Sequence, residues 1–145
     1  MNIMQDRFYT QAAPLLIPFS KLAVPFKSGE YLFLEEALSF NSLEELVNTH
    51  KLQFCRTRKY DDETLKEIEV LKDSLFELGW IKEETYALKV THNKNIDYYT
   101  IHIGTLRWLA FSQLIKANLA DKETEVLVVF PRYYDFHKFT YGLPF

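Results

Sequence analysis

The chain has 145 residues, 48% of them apolar and 26% charged, with 17 Lys+Arg against 20 Asp+Glu and one cysteine. That length suits one folded unit, here 1–145, with a real core, and the composition excludes a disordered chain. A net charge of −3 speaks against a basic nucleic-acid binder. The lone Cys55 excludes an internal disulfide and a multi-cysteine zinc site.

In chain order, the first residues show no basic leader followed by an apolar run. The apolar stretch from Ala12 to Phe19 is short and interrupted by Pro14 and Pro18. Nothing approaches the roughly 20 apolar residues of a membrane span, so the cytoplasm is the expected location. Residues 12–34 read as extended or irregular, with 1–28 as a Pro-containing arm. Aliphatic-Pro-Phe occurs at Ile17-Pro18-Phe19, Val24-Pro25-Phe26 and Leu143-Pro144-Phe145. Proline cannot donate to a ladder, so these pieces suit edge strands or arms laid over a core. Tyr31 to Leu34 fits either a buried strand or the first turns of a helix reaching Leu38.

Helices are predicted over 43–51, 62–78 and 105–117. Ser42 and Glu45 match a capping box for the first. Asp61 or Asp62 can cap the second, whose apolar stripe is Leu65, Ile68, Leu71, Leu75 and Leu78, with Gly79 as a left-handed stop. The third opens after Gly104, with Thr105 as N-cap, Leu106, Leu109, Ala110, Leu114 and Ala117 inward, and Asn118 closing it. A β-hairpin is predicted over 85–103 with its turn at Asn93-Lys94-Asn95, and further strands near 125–130 and 133–141. The fold class is therefore α+β, a mostly antiparallel sheet with two to three packed helices on one face.

Four glycines, all far apart (Gly29, Gly79, Gly104, Gly142), leave no room for a dinucleotide fingerprint, a P-loop or a G-x-S-x-G elbow. No cofactor and no metal are expected. His92 lies beside the hairpin turn and a short loop sets His102 opposite residue 86 or 87, about 17 Å further along, too far to share an ion. Three groups of residues remain as candidate sites. The strand-to-helix turn from His102 to Thr105 presents free N–H groups to an anion or nucleotide, with Arg107 near. Arg56, Arg58 and Lys59 form a basic island suited to phosphate contacts. Arg132, Tyr133, Tyr134, Phe136 and Lys138 belong to an aromatic-rich C-terminal run.

Arg132 and His137 are spaced as R-x4-H, which resembles an element of HEPN-type ribonucleases. The resemblance covers six residues and implies polarisation of a phosphodiester by the pair. In that family the element is helical, whereas here it follows Pro131 and a run of β-formers, and Tyr133 replaces the usual polar residue.

Aromatic residues reach 16% of the chain, and Tyr is enriched at interfaces. The preferred expectation is a non-catalytic module that binds a partner protein, or itself, through aromatic surface near the C-terminus. The two alternatives are a nucleic-acid binder or ribonuclease using Arg56, Arg58, Arg132 and His137, and an anion or nucleotide site at His102–Thr105.

Overall fold

The computed structural model describes residues 13–25, 30–50 and 62–130. Six strands form one sheet: β1 (Leu15–Pro18), β2 (Leu22–Pro25), β3 (Tyr31–Phe33), β4 (Leu88–Asn93), β5 (Tyr98–Ile103) and β6 (Glu125–Val129). Their order is β1-β6-β4-β5-β2-β3. The pairs β1/β6, β4/β5 and β2/β3 are antiparallel, while β2/β5 and β4/β6 are parallel. The class is α+β as expected, but the sheet is mixed. Four helices accompany it: α1 (Leu34–Leu38), α2 (Leu43–His50), α3 (Asp62–Leu78) and α4 (Thr105–Lys116). The strand expected at 133–141 lies outside the described residues.

Of the expected arm over 1–28, residues 13–25 are described, and they form part of the sheet rather than lying over it. Pro18 closes β1 at the sheet edge, where a missing N–H costs no ladder bond. Pro25 closes β2, an interior strand whose Leu22, Ala23 and Val24 are fully buried. Both readings of 31–38 hold in succession, as β3 and then α1.

A short link forces the sheet to curve. β1 and β2 stand four positions apart in the order, about 19 Å across a flat sheet. Only Phe19–Lys21, one 3₁₀ turn, joins them, and Pro18 to Leu22 can reach at most about 14 Å. The sheet must therefore wrap, and α4 is what it wraps around. A helix apolar on every side belongs in an interior. Leu106, Trp108, Leu109, Ala110, Phe111 and Leu114 point in all directions around α4 and all are buried. This exceeds the one-sided stripe expected, and Ala117 is exposed rather than inward. α3 and α1 pack against this helix, and α1 also touches β3.

The concave face carries Ile17, Leu22, Val24, Leu32, Leu88, Val90, Ile101, Val126 and Val128, in one core with the helices. At its centre Phe19 meets Trp80, Trp108 and Phe111, with ring centroids 6.0, 6.2 and 4.7 Å away. The second residue of the Pro-Phe motif is thus a core anchor. Register assigns Leu16, Ala23, Phe33, Thr91, Tyr98, Thr100, Leu127 and Val129 to the convex face.

Local signals explain the helix ends. Ser42 Oγ accepts from the Glu45 N–H at 3.1 Å. Gly79, at φ +71°, donates its N–H to Leu75 O and stops α3. Within α3, Ile68 and Leu75 are buried together with Thr64, whereas Leu78 at the last turn is exposed. Asn118, at φ +62°, sits in the left-handed position, and the Leu119 N–H reaches Leu114 O at 2.8 Å. This is the double-bonded stop that satisfies otherwise orphan carbonyls.

Candidate functional site

The hairpin turn occupies Lys94 to Asp97, later than expected, and β4 and β5 pair from Asn93↔Tyr98. The register slips between Lys89 and Val90, where Ile103 pairs with Lys89 and Ile101 with Val90. His102 is the extra residue of this bulge, so it stands beside Lys89 rather than opposite 86 or 87. The later turn and the bulge together account for the difference. His102 Nε2 and Thr91 Oγ1 share a hydrogen bond of 2.8 Å on the convex face. Burial holds the imidazole below its ordinary pKa, so it is neutral at pH 7. His92 is on the concave side, stacked on Tyr99, with its Nε2 3.2 Å from Asp97 Oδ1. That hydrogen bond, and then Lys21, hold the Asp97 carboxyl below the usual range. The two histidines therefore face opposite sides of the sheet. Among the described residues no group of His, Cys, Asp or Glu is placed to hold a metal ion.

Thr105 does not cap α4. Gly104 occupies that position at φ +121°, no side chain caps the helix, and Thr105 is its first, fully buried residue. The glycine is needed twice over, for its positive φ and because a Cβ would overlap Leu88 Cδ2. The turn thus leaves the Thr105 hydroxyl in the core and sends His102 to Thr91, so the two side chains expected to share an anion are engaged separately.

Arg107 behaves differently. Its Nη1 donates to Tyr86 O in the segment leading to β4. Burial pushes its pKa down, yet a guanidinium keeps its proton at neutral pH. It lines a cleft of about 520 Å³ with Gly104 and Leu106 of the α4 start and Glu63, Lys66, Glu67, Val70 and Leu71 of α3. Sequence spacing could not reveal this cleft, because α3 and α4 meet only in the folded chain.

Arg56, Arg58 and Lys59 lie outside the described residues, as do Arg132, Tyr133, Tyr134, Phe136, His137 and Lys138. No helix among the described residues is long and apolar enough to cross a membrane. Comparison of the chain with family models, curated proteins and solved structures finds no match.

Proposed function

We propose that this protein is a non-catalytic interaction module and that a second copy of the chain is the partner of its convex sheet face. The observation that carries this reading is the accessible rim of that face, Leu16 exposed on the edge strand with Leu127, Phe33 and Tyr98 half-buried, while Ala23, Thr100 and Val129 between them are buried within the chain. Register pairs Leu16 with Leu127 on one side of the sheet and sets Phe33 in one row with Ala23, Thr100 and Thr91 on the other, and the apolar side chains of the helices belong to the opposite core. Leu16 is 43% exposed on the edge strand. The Phe33 and Tyr98 rings stand 4.6 Å apart, an aromatic pair of the kind that anchors protein interfaces.

The face suits protein rather than polyphosphate. Its central positions Ala23, Thr100 and Val129 are uncharged and buried, the cations that meet it among the described residues are Lys89 and Lys21, the latter over the Tyr98 ring, and His102 is neutral. A nucleic-acid surface needs several cations in a row. A net charge of −3 on each chain opposes self-pairing across a two-fold axis only weakly. The sheet edges are poor alternatives. β1 is bracketed by Pro14 and Pro18, and β3 has three residues, both devices that prevent strand addition.

The test is light scattering on a size-exclusion column, over a range of protein concentrations and salt, for the wild type and for Leu16→Lys/Leu127→Lys. The expected result is a salt-resistant dimer that the double variant converts to a monomer with an unchanged circular dichroism melt. A wild type that stays monomeric at every concentration, or a dimer indifferent to the double variant, overturns the reading.

A further inference from the structure

We propose that the cleft between α3 and the start of α4 binds a small organic monocarboxylate with an apolar body. The first support is Arg107. Its guanidinium is largely taken out of water, its hydrogen-bond partner is the neutral Tyr86 carbonyl, and no carboxylate of the described residues forms an ion pair with it. A desolvated cation with no counter-ion is costly, and an anion from outside would repay that cost. The cation is also aimed. A Cβ built on Gly104 would stand 3.3 Å from Arg107 Nη2, so the guanidinium lies over the uncapped start of α4. Two sources of positive potential, the side chain and the helix end, meet at one wall of the cleft.

The rest of the lining selects the ligand. A volume of about 520 Å³ is within the range for small-molecule sites. Val70, Leu71 and Leu106 supply apolar wall. Glu63 and Glu67 offset Lys66 and Arg107, so the lining from the described residues is neutral overall. Glu63 and Glu67, on the wall contributed by α3, repel the additional charges of a di- or triphosphate more than a single carboxylate held by Arg107. This separates the cleft from a nucleotide site.

The experiment is amide-proton correlation NMR of the intact protein, titrated with octanoate and with phenylbutyrate. Octanol, inorganic phosphate and ATP serve as contrasts. Saturable shifts at Gly104 to Arg107 and at Val70 and Leu71 are expected for the two carboxylates alone. Arg107→Gln weakens binding about tenfold or more, the loss of one charge-assisted hydrogen-bonding group. Val70 is 67% exposed, so Val70→Glu leaves the core intact and places a repelling carboxylate at the cleft wall, and binding is lost. Glu63→Gln, also at an exposed position, tightens it. No saturable shift with either carboxylate overturns the proposal, as does binding unchanged by Val70→Glu. Octanol binding as well as octanoate, or ATP binding more tightly than either acid, overturns it too. Should Arg107→Gln fail to fold, the two α3 variants still decide the matter.

Discussion

Replacing Gly104 with Ala tests the geometry of the turn that aims α4 into the sheet. The added methyl meets two separate penalties. At φ +121° an L-residue is strained, at a cost of about 1–3 kcal/mol. The new Cβ also overlaps Leu88 Cδ2 and lies 3.5 Å from Leu88 Cγ. Leu88 is fully buried in β4, so overpacking adds about 1–3 kcal/mol. A total near about 4 kcal/mol lowers Tm by about 8–16 °C for a chain of this size. Gly79 supplies the control. Its φ is +71° and a Cβ there meets nothing within 4 Å, so Gly79→Ala costs about 1 kcal/mol through the backbone alone. Calorimetry and urea unfolding of both variants measure the difference. In a Leu88→Ala background the overlap is gone, and Gly104→Ala is expected to cost about 1–3 kcal/mol less than in the wild type. Equal costs at the two glycines, or no coupling between positions 88 and 104, would refute the steric argument.

Two further variants probe buried polar groups. Thr100 is 6% exposed and its Oγ1 has no hydrogen-bond partner; Thr100→Val keeps the shape and removes the unpaired hydroxyl, so a gain of about 1 kcal/mol in urea unfolding is expected, and a loss of that size would contradict it. His102 has a folded pKa below its ordinary value of 6.5. Its sign follows directly: as pH falls below 6.5 the unfolded chain takes up a proton that the folded chain refuses, so stability declines until the lower folded pKa is passed, and above that window His102 contributes no slope. Asp97, also depressed, acts below its ordinary value of 3.8 and so outside this range. Urea titrations of His102→Gln are expected to show a flatter decline as pH falls through 6.5 than the wild type; an unchanged slope would assign the decline to other groups.

Much of the helical structure was legible because its signals are local. Ser42 sits three residues before Glu45 and caps where it should. Gly79 ends the helix over 62–78 by the left-handed turn its position predicts. The strands of the hairpin and β6 announced themselves by β-branched runs. What could not be read depends on distant partners. Leu22–Pro25 looks like a proline-tailed connector, and only pairing with β5 and β3 makes it interior. The two parallel ladders have no local signature. The all-round burial of α4 reverses the meaning of Trp108 and Phe111, which a one-sided stripe would leave out. The bulge at His102 changed a register that turn chemistry alone sets differently. Of the candidate site, Gly104 and Arg107 at the start of α4 stand out in the sequence. The opposite wall from α3 does not, since helix-on-helix packing joins segments some forty positions apart.

The link between β1 and β2 also dictates when the chain can settle. Leu15 waits for Val128, and Leu22 waits for Tyr99. On the ribosome, the segment bearing Phe19, Leu22 and Val24 therefore emerges early and, β3 apart, finds its neighbours late. Until β4, β5 and β6 exist there is no groove for it to enter, and Phe19 has neither Trp80 nor Phe111 to rest against. Such long-range closure slows folding and lengthens the exposure of apolar surface. The prolines that end both strands shield the nascent segment during that wait, since a strand cut short by Pro18 or Pro25 is a poor template for pairing with another chain.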